Sequence, residues 1–536
     1  MSPAVSHALT LHQVRLTLPE SATPSQCQIQ ERRVRKALER IAVYPGLPPQ
    51  AILIIRHLAD PDPGQLLAAN TWQGLRAWEQ ATQAALNQHW RTALRPAIAA
   101  VSANAASVWF EDPAEWLACL SWDVYQGVAG DRWWWHAVLC HYPHGMAREA
   151  LFHQWQADPQ WLPAALRLLY QSHPVEAVQL LGALPASQAE HLLDTVLPIY
   201  GVSIPVTPGA APTDRHQTLV AALTPHLGIP QPSTIATLPL VTQALVAVCL
   251  TLPNTATLVS ATRSPAAAAD ASPMPTETAD APPPTKLPVA PDRPVVTPAS
   301  ETVSSQESPA ASPHSWPPGI PKIVSVHSEA LGEVSSSSGD RSAAPPAVSS
   351  SGLSAIPPDE SSDRPPESAP DRPIAPPLIL SDTAIAMGEL GIGTAIGGLW
   401  YLVNVLVDLD WPERSAVITP WHQVAALAQA LLPDVPLDPV WEPLADIAGE
   451  PLPEALLSPW QAHILTQVRP YLTERLEYPD AIAHYLQEPA TLYLTRTHVD
   501  VVFSLDQIRL DVRLAGLDRD PGWVPELARV IALHYE

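Results

Sequence analysis

Cysteine, phenylalanine, methionine and basic residues are all scarce in this chain. Its 536 residues hold four cysteines, three phenylalanines and four methionines. The cysteines, Cys27, Cys119, Cys140 and Cys249, are scattered and form no CxxC pair, which excludes a disulfide framework and a cysteine-based zinc ribbon. They read as buried free thiols in a reducing compartment. Basic residues number 29 against 53 acidic ones, so the net charge is −24 and a phosphate backbone would be repelled. The short basic run Arg32, Arg33, Arg35, Lys36 and Arg40 reads as the solvated face of a helix, and no nucleic-acid partner is expected. Met1 to Val5 lacks the basic stretch and apolar core of a secretory signal, so the expected location is cytoplasmic. No GxSxG, HExxH, Walker or deaminase pattern occurs, and no enzymatic activity or cofactor is expected.

Proline and tryptophan are abundant instead, with 63 and 18 residues. Much of the proline lies between 253 and 377, a stretch with serine runs such as Ser335 to Ser338 and almost no aromatic residues. Such a composition buries too little apolar surface to offset its conformational entropy. The expected organisation is therefore an α+β, mainly helical protein whose two folded regions are separated by a long disordered Pro/Ser/Ala-rich linker. Residues 1–252 form a Trp-rich strand-then-helix domain, 253–377 the linker, and 378–536 a helical domain ending in a β-hairpin.

Within the first region, Leu9, Leu11, Val14, Leu16 and Leu18 alternate as a strand does, and Glu31 to Val43 has helical spacing. Ala51 to Ile55 reads as a buried strand, and Trp72 to Leu252 as helices. Four Asp-Pro pairs, at Asp112, Asp158, Asp438 and Asp520, each precede a tryptophan and resemble helix starts, with Asp as N-cap and Pro at the first helical position. In the second region, helices are expected at Trp421–Leu432, Trp441–Ala448 and Pro459–Leu476. A terminal hairpin is expected to turn at Asp506-Gln507, setting Val499 against Leu514, Val501 against Val512 and Phe503 against Leu510. A helix or strand closes the chain at Val524–Tyr535.

Three constellations invite chemistry. Gly391, Gly393 and Gly397 are spaced GxGxxxG rather than GxGxxG, with no preceding strand, and read as the start of a buried helix rather than a phosphate loop. The same uncharged run, Leu390 to Val407, is at the lower length limit of a membrane span, which makes a membrane-associated tether an alternative function. His136, Cys140 and His144 have zinc-ligand chemistry, which makes a zinc-binding enzyme a further alternative. The favoured reading of the same residues is a Trp-rich helix whose histidines cap or snorkel and hold no metal. The triple tryptophan Trp133, Trp134 and Trp135 cannot all face one core, and with Trp523 it forms the candidate interaction surface.

Two stretches carry a resemblance. Gly391-Ile-Gly-Thr-Ala-Ile-Gly-Gly-Leu-Trp-Tyr-Leu-Val-Asn-Val-Leu406 is followed by Trp421 to Leu432 and Asp438-Pro-Val-Trp441. The terminal stretch is His498-Val-Asp-Val-Val-Phe503 with Val512-Arg-Leu-Ala-Gly-Leu-Asp-Arg-Asp-Pro-Gly-Trp-Val-Pro525. Together with Trp109-Phe-Glu111 through Trp135 they resemble a poorly characterised bacterial family. That family is associated with gene clusters for extracellular contractile injection systems, the phage-tail-like assemblies, and is distantly similar to their tape-measure proteins. The likeness spans about half of the chain and skips the proline-rich stretch. It implies a non-enzymatic assembly or accessory protein whose partners are other subunits of a large particle. The long apolar helical tract of a ruler is missing, and the family supplies no catalytic residues.

Overall fold

The computed structural model describes residues 47–62, 72–143, 145–202, 212–224, 235–252, 391–411, 418–435, 437–476 and 482–536, with a few isolated positions before residue 33. The expected N-terminal strand, most of the Glu31–Val43 helix, the segment 253–377 and Leu390 lie outside them. What is described is α+β and mainly helical, as its composition suggests.

In the N-terminal part, β1 (Ile52–Ile55) pairs antiparallel with β2 (Ser107–Phe110), flanking α1 (Trp72–Thr92). β1 is half-buried rather than fully buried, and among the described residues β2 is its strand partner. Then follow α2 (Pro113–Tyr125), α3 (His136–Leu139), α4 (Ala147–Ala157), α5 (Leu162–Ser172), α6 (Pro174–Gly182), α7 (Ala186–Ile199), α8 (Pro212–Leu223) and α9 (Leu240–Thr251). Two helices, α2 and α9, are apolar almost all round, with Val241 to Thr251 of α9 nearly all buried. A helix of that kind belongs at the centre of a core, and the neighbouring helices pack round this pair.

The C-terminal part opens with β3 (Ile392–Thr394), a single 3₁₀ turn at Gly397–Trp400, and α10 (Tyr401–Asp408). The apolar run is thus divided among a strand, a turn and a helix of eight residues, about 12 Å long where a bilayer core needs about 30 Å. No helix among the described residues is long and apolar enough to cross a membrane. Its glycines are packing devices. A β-carbon on Gly398 would lie 2.3 Å from the Tyr485 carbonyl oxygen, and one on Gly397 would lie 2.3 Å from the Ala490 β-carbon.

Next come α11 (Pro420–Leu431), α12 (Trp441–Ala448), α13 (Glu454–Arg475) and α14 (Ile482–Leu486), close to the spacing expected. Thr419 caps α11 through its hydroxyl. The chain ends in β4 (Ala490–Leu494), β5 (His498–Phe503), α15 (Leu510–Leu514), β6 (Gly522–Val524) and β7 (Arg529–Tyr535). Together with β3 these strands form a five-stranded sheet in the order β3-β4-β5-β7-β6.

This sheet corrects the expected hairpin. Val499 and Val501 pair with Leu494 and Leu492 on one side, and with Ile531 and Leu533 on the other. With both edges of β5 occupied, residues 508–514 have no strand to join, and 510–514 form a helix. The terminal hairpin is β6–β7.

Two of the Asp-Pro sites also depart from a helix start. Asp520 opens β6 and accepts the Leu533 amide, and Asp158 accepts from the Gln154 side chain while α5 begins only at Leu162. Asp438 does stand before α12, and it further ties that helix to β3 by accepting from the Thr394 hydroxyl and the Ala395 amide. Asp112 caps α2 as expected, accepting the Glu115 amide at 2.8 Å.

Candidate functional site

Alternation along β5 and β7 gives their sheet two different faces. Val499, Val501, Phe503, Ile531 and Leu533 enter the C-terminal core. On the opposite face, His498, Asp500 and His534 are buried although polar, and Val530 packs against the N-terminal core together with Trp523 and Ala528. The polar face is therefore a junction between two parts of the chain more than 300 residues apart in sequence.

At one end of the junction, Arg95 is buried among carboxylates. Its guanidinium holds Glu115 bidentately, with Nε to Oε1 at 2.9 Å and Nη2 to Oε2 at 2.5 Å, and reaches Glu111 at 2.6 Å. The Arg95 guanidinium also lies over the Trp109 ring at 4.8 Å. Arg496, from the turn between β4 and β5, donates to the same Glu111 oxygen at 3.1 Å. Next to it, the Thr497 hydroxyl donates to Asp112 Oδ2 at 2.9 Å, so this one carboxylate caps α2 and holds the other part of the chain.

At the other end, the Trp523 indole donates to the Ile199 carbonyl at 2.9 Å, with its ring edge-on to Tyr200 and Trp161. Trp161 in turn stacks on His498 at 5.1 Å.

The charge balance explains the titration. Burial by itself would lower the Arg95 pKa, but the hydrogen bonds and charges of Glu115 and Glu111 raise it above the usual arginine range. Burial pushes Glu111 up to about 7 against the pull of Arg95 and Arg496, aided by the negative charges of Asp112 and Glu115. Burial brings Arg529 down to about 10. Its Nε donates to the Arg496 carbonyl and its guanidinium covers the Trp421 ring. Burial also lowers His498. For His534 burial acts downward too, but the hydrogen bond to Asp500 at 2.7 Å and the surrounding carboxylates raise it overall.

The residues singled out in the sequence distribute differently from expectation. Trp134 and Trp135 are 3% and 0% exposed and belong to the N-terminal core, so neither ring offers a partner surface. Trp135 donates to Asp123 and packs on Phe110 and Trp116. The three rings occupy one 3₁₀ turn, which directs successive side chains about 120° apart and leaves Trp133 half-buried at the edge. Trp523 does lie at an interface, but one internal to the chain.

His136 and Cys140 are exposed, so Cys140 is not the buried thiol expected, unlike Cys119 and Cys249; its thiol donates to the Ala137 carbonyl, while His144 lies outside the described residues. Among the described residues, no group of three His, Cys, Asp or Glu is placed to hold a metal ion.

Most of the junction went unread. Asp112 is legible as a cap from its sequence, and Glu115, at the capping-box position, accepts the Glu111 amide, one residue before the usual donor. Nothing local marks Arg95, Arg496 or Thr497. Comparison with protein-family models, with curated proteins and with solved structures finds no match for this chain.

Proposed function

We propose that this chain is a non-enzymatic assembly protein of a contractile injection, phage-tail-like particle, acting through contacts with other protein subunits. One observation carries the reading. The buried acids and arginines beside Asp112 are engaged with one another across the junction, joining distant parts of the chain. Buried ion pairs of this kind favour a specific docking geometry more than they add stability. The resemblance of the 391–441 and 498–525 stretches supplies the system. In this reading residues 1–252 and 378–536 are the two folded regions. Segment 253–377 is a disordered, extended Pro/Ser/Ala-rich connection that keeps them on one chain, and the protein works in the cytoplasm, where such particles are built.

Affinity purification of the tagged full chain from its native host tests this. Sheath, tube or baseplate subunits are expected among the recovered proteins. Recovery of none of them, under conditions that preserve assembled particles, would overturn the reading.

A further inference from the structure

Two histidines lie on the polar face of the junction, His498 in β5 and His534 in β7, 5% and 4% exposed. A buried imidazole at a contact between two bodies lets a single proton alter their docking. Asp500 shares this face and is 3% exposed, and its one charge can hold one imidazolium. The geometry decides which histidine carries that charge.

His534 Nε2 lies 2.7 Å from Asp500 Oδ1, and Asp520 and Glu536 add negative charge at this imidazole. Among the described residues, neither Asp500 Oδ2 nor His534 Nδ1 has a hydrogen-bond partner, so each group depends on the other. A neutral His534 would leave the buried Asp500 charge without its counter-ion.

His498 is placed the opposite way. The Thr497 hydroxyl has one proton and gives it to Asp112 Oδ2, so the same oxygen accepts from His498 Nδ1 at 2.8 Å. Neutral His498 thus keeps its proton on Nδ1, and a second proton has to enter at Nε2. Its ring is stacked on Trp161 of the N-terminal part, and the charges facing it are Asp500 and Asp112 against Arg529 and His534. Those four balance when His534 is charged, so a charge on His498 would be buried in excess. An opened junction would return both rings to water and to their ordinary 6.5.

We propose that the junction is a proton-gated latch, closed when His534 is charged and His498 is neutral, and loosened by a proton lost from the first or gained by the second. The latch stands independently of the particle assignment. Raised overall despite its burial, His534 contributes fully below 6.5, and its contribution is lost as pH rises through its closed-form value. Lowered by burial, His498 contributes fully above 6.5, and its contribution is lost as pH falls from there. Two further groups face the junction. Glu111, set among Arg95, Asp112, Glu115 and Arg496, keeps its proton up to about 7 and acts in the same direction as His534. Asp520, also raised by burial, does likewise. Above 6.5 every group that still titrates therefore opens the latch as pH rises. Below 6.5 Glu111 and Asp520 oppose His498, so acid alone moves the wild type little.

The Trp523 indole donates across the junction to the Ile199 carbonyl, so its hydrogen exchange in the full chain reads how often the latch opens. Corrected for the intrinsic pH dependence of exchange, opening is expected to rise above pH 6.5, by up to about tenfold per pH unit for each proton released. In His534→Gln the rise should end near 7, where the Glu111 contribution is spent. In His498→Gln the opposition is gone, and opening should fall as pH drops from 6.5 to 5. Nitrogen-15 spectra of the histidine-labelled wild type add a measurement free of any folding defect in the variants. They should show an imidazolium at His534 at pH 7, and at pH 6 a neutral His498 protonated on Nδ1. Three results would each overturn the proposal: exchange that stays flat from pH 6.5 to 9, a pH course in folded His498→Gln identical to wild type, or two histidines that titrate together at 6.5.

Discussion

Gly398 and Glu111 show how differently single residues are constrained here. Gly398 permits the turn before α10 to lie against the backbone of α14. With the Tyr485 oxygen 2.3 Å from an added β-carbon, and Leu486 backbone atoms also within 3.0 Å, Gly398→Ala requires backbone to move. A loss of about 1–3 kcal/mol is expected, measurable as a lower denaturant midpoint. The glycines of this run were plain in the sequence, but the close packing at Gly397 and Gly398 needed the partner strand and helix.

Glu111 is held protonated in the folded state up to about 7, against 4.5 for an unperturbed glutamate. Between those values the folded chain binds more protons at this group than the unfolded chain does. Stability from Glu111 is thus greatest below about 4.5 and falls as pH rises through 7. The change is on the order of 3 kcal/mol across that window. Glu111→Gln should remove this slope, so the difference between wild-type and variant unfolding free energies should vary with pH from 4.5 to 7 and level off above. A difference independent of pH would show that Glu111 titrates alike in the folded and unfolded chain.

The secondary-structure elements were the more legible level. Helices α11 and α12 lie close to their expected ranges because each has helical apolar spacing and a start signal of Thr or Asp, whereas α13 begins at Glu454, five residues before the expected Pro459, which lies inside it. Residues 508–514 were misread for a physical reason. Ile508, Leu510, Val512 and Leu514 alternate as in a strand, yet only Val512 is buried, and a run this short fits either period. What excluded a strand was the occupation of both edges of β5.

The cap of α2 offers a test of two roles in one side chain. Asp112→Ala loses the cap and the Thr497 contact together, and about 2–3 kcal/mol is expected. Thr497→Val removes only the contact between the two parts, and about 1 kcal/mol is expected. Equal losses in chemical denaturation would show that the cap contributes nothing.

Taken together, the two parts form one body through the polar face of a sheet whose apolar face belongs to the C-terminal core. Arg496, Thr497 and Trp523 bind directly to Glu111, Asp112 and Ile199. A full chain carrying an engineered protease site within that segment should therefore remain a single particle after cutting, with both fragments eluting together in gel filtration. The added variants R496E and W523A should release them. Separation of the cut wild type would mean that the covalent connection, rather than the junction, holds the parts together.

Composition and local pattern determined that this chain is α+β and mainly helical, where α11 and α12 lie, and that Asp112 caps one helix. Those are consequences of spacing and of backbone groups satisfied within a few residues. The tertiary structure alone decided that tryptophans 134 and 135 belong to a core, that β5 is a central strand, and that Arg95, Glu111, Arg496 and Thr497 meet. Burial on one sheet face and pairing across 385 residues depend on the register of the whole sheet, and no local window of sequence contains that information.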